Sequence, residues 1–125
     1  MYLLDTHTLL WAFYRKNMLS NKVTDIIHYT DDLYVSIASF WEISIKQGLH
    51  KLEFRQSAVD LENECIRQNI EVIPIRPIHC DRLRELPPIH SDPFDRLIVA
   101  QANSENLTII TKDRLIQKYP IETIW

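Results

Sequence analysis

With 125 residues, 46% hydrophobic and 25% charged, the chain has the composition of a single globular domain spanning 1–125, long enough to bury a core. Fourteen basic against seventeen acidic residues give a net charge of −3, which does not recommend a nucleic-acid binder on bulk charge but does not exclude a polyanionic substrate. The single glycine, Gly48, argues against glycine-rich phosphate-cradling loops, and Cys65 and Cys80 show no metal-ligand spacing and are expected as free, buried thiols in a reducing compartment.

In chain order, Tyr2-Leu3-Leu4 starts a strand over 2–5, followed by a helix over 6–13. Ser20 or Asn21 caps a helix reaching about 29, with Val23, Ile26 and Ile27 on one face. A strand over 33–36 precedes a helix over 39–47, which Gly48 is expected to stop in the left-handed conformation. The next helix, over 57–68, turns Leu61, Cys65 and Ile66 inward. Val72-Ile73-Pro74-Ile75 forms a third strand, whose proline suggests a sheet edge or a strand end. A short helix over 79–86 stops at Pro87-Pro88, and Asp92-Pro93 opens a strongly signalled helix with Asp95 in its first turn. A strand over 107–110, a short helix over 113–118 and a strand over 121–124 finish the chain. This alternation predicts an α/β fold with a mainly parallel five-stranded sheet flanked by helices. No basic n-region or long apolar run is present, so a cytoplasmic protein without a membrane segment is expected.

Four of these strand-to-helix junctions carry an acid. Asp5 follows the first strand, Glu42 lies in the helix after the second, Asp95 opens the helix before the fourth, and Asp113 follows the fourth. A parallel sheet aligns such junctions along one edge, so four carboxylates are expected to converge there. Each has a structural explanation of its own. Asp5 and Asp113 are candidate helix caps, and Ser39-Phe40-Trp41-Glu42 reads as a capping box. Asp92 takes the cap of its helix, which leaves Asp95 with only a dipole interaction to explain it. The repetition at one edge is what the separate explanations leave out. Crowded carboxylates repel unless a cation neutralises them, and hard divalent ions prefer carboxylate oxygens, so the pattern points to metal-assisted phosphoryl transfer. Setting the four acids aside leaves 13 acidic residues against 14 basic ones.

The same segments resemble the PIN-domain family, and within it the VapC-type toxins of toxin–antitoxin pairs. Leu3-Leu4-Asp5-Thr6-His7 is similar to the family's opening strand and first acid, and Ser36-Ile37-Ala38-Ser39-Phe40-Trp41-Glu42-Ile43 to its second-acid segment. The run from His90 through Asp92-Pro93-Phe94-Asp95-Arg96 to Ala102 is the most specific stretch, and Leu107-Thr108-Ile109-Ile110-Thr111-Lys112-Asp113 resembles the fourth. The resemblance covers essentially the whole chain and implies a PIN-like (Rossmann-like) three-layer fold. It further implies an endoribonuclease in which Asp5, Glu42, Asp95 and Asp113 hold Mg²⁺ or Mn²⁺ and an activated water cleaves the RNA phosphodiester. Thr6, Ser39 and Thr111 would orient ligands or waters beside them, with Asp92 as a further supporting residue. A homodimer, silenced by a small antitoxin whose C-terminal segment crosses an apolar groove, is implied as well.

Lys46, Arg96, Lys112 and Arg114 lie close to the acids in sequence and are candidates for substrate phosphate, although Glu42–Lys46 is also a good i,i+4 ion pair. His7 and His90 could touch RNA or serve structure, and Trp11, Phe13 and Tyr14 cluster at the end of the first helix, for the core or for a partner. Two competing functions remain. A haloacid-dehalogenase-like phosphatase would need an aspartate two residues after Asp5, where His7 stands. A catalytically silent PIN-fold binding module would keep the fold without turnover.

Overall fold

The structure, a computed structural model, describes residues 1–125. Five strands, β1 (Tyr2–Leu4), β2 (Leu33–Ser36), β3 (Ile70–Ile73), β4 (Thr108–Ile110) and β5 (Thr123–Ile124), form one sheet in the order β3-β2-β1-β4-β5. Every pairing is parallel. Six α-helices connect or flank them: α1 (Thr6–Tyr14), α2 (Asn21–Tyr29), α3 (Ile37–Gly48), α4 (Ala58–Arg67), α5 (Pro77–Glu85) and α6 (Pro93–Glu105). None is long and apolar enough to cross a membrane.

The sheet alternation builds two cores. Leu4, Val35 and Ile110 pair across neighbouring strands and point into a cluster with Leu9, Val23, Phe40, Ile43, Leu61 and Cys65. Leu3 and Ile109 face the other way, against Ile98, Val99 and Ala102 of α6 and against Ile116 and Tyr119. Helices thus cover both faces of the sheet, as buried parallel strands require. The chain runs outward from β1 through β2 to β3 and then returns to the far side of β1 for β4. The switch between β1 and β4 leaves a crevice beyond their C-terminal ends, where parallel sheets place ligands.

Several local expectations need correction. The third strand ends before Pro74 rather than running through it; Pro74 does follow an edge strand, where its missing N–H interrupts no ladder. The second-acid helix starts earlier than expected. Ser36, the last residue of β2, is its cap and accepts from the Ala38 amide at 3.0 Å, so Ser39 is inside the helix and no capping box forms with Glu42. Gly48 belongs to the helix and has no positive φ; the left-handed residues are His50, Asn69 and Asn106. A helix over 113–118 shrinks to a 3-10 turn, Ile116–Lys118, because Asp113 caps only one turn, accepting from the amides of Leu115 and Ile116. Cys65 is buried as expected, whereas Cys80 and Ile66 are exposed.

Candidate active site

Asp5 leaves β1 directly above the β1–β4 crevice and is buried. Its Oδ1 caps α1, accepting from the Thr8 amide at 2.8 Å, and its Oδ2 accepts from the Thr111 hydroxyl. Thr111 in turn accepts from the Asp113 amide at 3.0 Å, so one hydroxyl joins the acid after β1 to the acid after β4. Burial pushes the Asp5 carboxyl above its ordinary value, against the lowering effect of the bonds from Thr111 and Thr8.

Glu42 is buried in the first half of α3, facing the same crevice. Thr6 donates to its Oε1 at 2.7 Å and shares a 2.9 Å hydroxyl–hydroxyl hydrogen bond with Ser39. Lys46, one turn along, donates to Oε2 at 2.6 Å. Burial by itself would lower the Lys46 ammonium. The bond to Glu42 and the charges of Glu42, Asp92 and Asp95 reverse that and raise it, which also places Lys46 within the field of the other acids. Lys46 therefore balances Glu42 in this arrangement instead of standing free for a substrate phosphate.

Asp92 caps α6, its Oδ1 accepting from the amides of Phe94 and Asp95 at 2.8 and 3.1 Å. With the helix end satisfied, Asp95 turns into the site. Burial first, then the charges of Asp92 and Glu42, push its carboxyl up to about 7, with His90 opposing and Asp5 adding to the rise. Asp113 behaves differently. Burial would raise it, but bonds from the Ile116 and Leu115 amides and from His90 outweigh burial, and its carboxyl falls below the ordinary value.

His90 is the residue the sequence left undecided between RNA contact and structure. Its Nε2 lies 3.1 Å from Asp95 Oδ2 and 3.1 Å from Asp113 Oδ2, bridging two of the four acids. Its Nδ1 accepts from the Asp92 amide at 3.1 Å, so the ring proton belongs on Nε2, which donates to Asp113. A nitrogen that carries this proton donates to carboxylates and offers no lone pair to a cation. His90 is thus hydrogen-bonded to Asp113 and lies close against Asp95, and the three ligand atoms all lie within 4.8 Å of one another. The signal in the sequence was a histidine two residues before the cap of α6, the spacing at which a ring nitrogen reaches the cap's own amide.

The cations separate into two kinds. Arg96 is engaged in structure: its guanidinium donates to the Pro87 carbonyl at 3.0 Å, the Leu83 carbonyl at 3.4 Å and the Tyr119 hydroxyl at 3.1 Å. That same hydroxyl accepts from the His90 amide at 2.8 Å, so Arg96 holds the loop that carries His90 and is withdrawn from the phosphate set. Lys112 and Arg114 are exposed and have no acidic partner within 4.0 Å. Lys112 lines a small mouth of about 220 Å³ together with Asp5, His7, Trp11 and Asp113.

The donor set fits a hard divalent cation. Asp95 and Asp113 place oxygens within 4.8 Å of each other and of His90, while Asp5, joined to Asp113 through Thr111, and Glu42, held by Thr6, lie outside that group; burial and then the charges of Asp92 and Glu42 hold Asp95 near 7. Such an arrangement can hold a cation, orient water around it and receive a phosphate.

The family described as PIN domain matches residues 2–122. Ribonuclease VapC22 of Mycobacterium tuberculosis is 28% identical over 130 aligned positions, covering 98% of this chain and 97% of that protein. Among solved structures, VapBC2 from Rickettsia felis bound to a promoter DNA fragment matches with a TM-score of 0.72 at 17% identity, covering 98% of this chain and 96% of that one. DNA-bound VapBC from Salmonella typhimurium matches at 0.71 and 19%, with the same coverage, and a toxin–antitoxin complex from Klebsiella pneumoniae at 0.67 and 16%, covering 100% and 97%. At these identities the structural matches speak for the fold.

Proposed function

Because the chain belongs to the PIN domain family, we propose that it is a metal-dependent endoribonuclease and the toxin half of a toxin–antitoxin pair. The observation that carries this reading is the group of acids at the β1–β4 switch: Thr111 joins Asp5 to Asp113, His90 lies against Asp113 and Asp95, and Glu42, held by Thr6 and Lys46, is near enough for its charge to act on Asp95. The similarity to a ribonuclease over nearly the full length supports it. The solved neighbours are toxin–antitoxin complexes, which supports a small protein antitoxin as partner.

Asp5, Glu42, Asp95 and Asp113 would hold Mg²⁺ or Mn²⁺. The bound ion would supply activation of a water and neutralisation of charge on the scissile phosphate. The chain's own residues do the rest. Thr111 and the Thr8 amide fix both oxygens of Asp5, and Thr6 with Lys46 fixes both of Glu42, so neither carboxylate needs to reorganise. His90 and the caps of α6 and of the 3-10 turn set the directions of Asp95 and Asp113. Lys112 lines the mouth beside Asp5 and Asp113, placed to meet a substrate phosphate, and Arg114 is a second exposed cation two residues on. No serine, cysteine or histidine is arranged as a nucleophile within the cluster, which favours hydrolysis by water.

A homodimer is part of the same reading. Ile37, Trp41 and Ile45 on α3 and Leu49 at its C-terminal cap follow one another at i,i+4 spacing, all exposed, and we assign this apolar stripe to a second copy of the chain.

The test is cleavage of a mixed pool of tRNA and rRNA fragments by the antitoxin-free chain, with new 5′ ends mapped by sequencing. Discrete cuts that need Mn²⁺, vanish with EDTA and vanish in Asp95→Asn are expected. Cuts that persist in Asp95→Asn or in EDTA would overturn the assignment of the site. A folded chain that binds RNA without cutting it would instead favour the silent binding module.

A further inference from the structure

Two grooves flank α1, and only one of them meets the acid cluster. That groove, about 620 Å³, runs between α1 and residues 51–56 and shares His7 and Trp11 with the mouth over Asp5 and Asp113. The other, bounded by α1, α2 and α4, shares no lining residue with that mouth.

The groove that meets the site pairs aromatic surface with free positive charge. Trp11 and His7 lie 5.6 Å apart with their rings inclined at 36°, and Tyr14 and Phe54 lie 4.5 Å apart at 57°. Tyr14 is 38% exposed, so its ring is open to a ligand. Arg15, Lys51 and Arg55 line the same groove, are exposed, and have no acidic partner within 4.0 Å, while Glu53 is its only acid. In a chain of net charge −3, three unpaired cations beside one acid form a local reversal of sign.

We propose that this groove is the path of a single-stranded RNA segment leading to the scissile phosphate, with bases stacked on Trp11, Tyr14 and Phe54 and phosphates met by Arg15, Lys51 and Arg55. Two features favour this occupant. Flat rings stack on any base, and cations spaced along one groove neutralise a phosphate backbone. A duplex keeps its bases stacked on one another and cannot use the rings. The shared residues His7 and Trp11 then deliver the strand to Lys112 and the acids. This assignment rests on the nuclease reading and adds where the substrate lies and in what form.

The experiment measures anisotropy of a fluorescein-labelled 12-nucleotide RNA of mixed sequence on the Asp95→Asn chain, single-stranded and annealed to its complement. Cleavage of the RNA pool by the chain with Asp95 intact is assayed in parallel. In the Asp95→Asn background, Tyr14→Ala is expected to weaken single-strand binding at least about fivefold, as loss of one stacked base does. Replacing Arg15, Lys51 and Arg55 together by Gln, exposed changes that leave the core alone, is expected to flatten the slope of log Kd against log salt by about 2, roughly 0.7 per lost contact. The duplex should bind more weakly than the single strand. Single-strand affinity and salt slope that stay unchanged in both variants would overturn the groove assignment while parallel cleavage kept the nuclease reading intact, and would leave the groove to a protein partner. Absence of both RNA binding and cleavage would bring down the two readings together.

Discussion

The carboxyl of Asp95 concentrates the electrostatic strain of the metal-free site, because burial and the charges of Asp92 and Glu42 hold it near 7. An aspartate in the unfolded chain ionises near 4. Between those values the native state binds the extra proton, so the stability of the metal-free protein should fall as pH rises from about 4 to about 7. Asp5, also raised, acts in the same direction, whereas the lowered Asp113 contributes stability that is lost as pH falls. Thermal melts in EDTA are expected to show the decline in the parent chain, a shallower one in Asp95→Asn, and a higher midpoint for that variant at pH 8. Identical pH profiles for the two would show that Asp95 carries no such strain. Thr6→Val tests the orientation of Glu42. It removes a hydrogen bond to a buried carboxylate and should cost about 1–3 kcal/mol of stability by denaturant titration, and it should slow cleavage even where the fold is retained.

Helices make sharper predictions at the scale of the element. Gly48 lies inside α3 without a positive φ, and a Cβ added there meets nothing within 4 Å. Gly48→Ala should therefore stabilise the protein by about 0.4–1 kcal/mol, measured as a rise in the denaturant midpoint at unchanged slope. Destabilisation would restore the terminator role that the sequence suggested. On the other face, His79 is buried between α5 and α6, with Nε2 2.8 Å from Glu105 and Nδ1 accepting from the Arg76 amide. This pairing fixes α5 on α6 and hence the helix that presents Asp95. The elements that could be read from the chain are those whose signals are local: the Asp92-Pro93 start of α6, the Ser20-Asn21 start of α2, and apolar strands such as Leu33–Ser36. What could not be read depended on partners distant in sequence. Glu42 read as half of a capping box until Thr6 of another element took its carboxylate, Arg96 looked free until Pro87 and Tyr119 took its guanidinium, and His90 acquired meaning only beside Asp113, 23 residues away. Asp5, Asp95 and Asp113 could be expected near one another because a parallel sheet brings its strand ends to one edge, whatever their separation in sequence.

At the scale of the whole molecule, the strand order β3-β2-β1-β4-β5 determines where chemistry can occur. The β1–β4 crevice gathers the acids, α1 divides two grooves of which one meets that crevice, and α3 carries the exposed stripe proposed for a second copy. Ile45→Glu on that stripe is expected to convert a dimer into a monomer in sedimentation velocity, with a melting temperature close to that of the parent chain. A parent chain that is already monomeric would remove the stripe from the interface. The central claim is that Asp5, Glu42, Asp95 and Asp113 act as one divalent-cation site. Calorimetric titration of Mn²⁺ into the antitoxin-free chain at pH 7.5, beside Asp5→Asn, Glu42→Gln, Asp95→Asn and Asp113→Asn, tests it most directly. The account predicts saturable binding by the parent chain and at least about tenfold weaker binding in each variant, as loss of a charged ligand requires. Parent-like Mn²⁺ affinity in all four variants would contradict it.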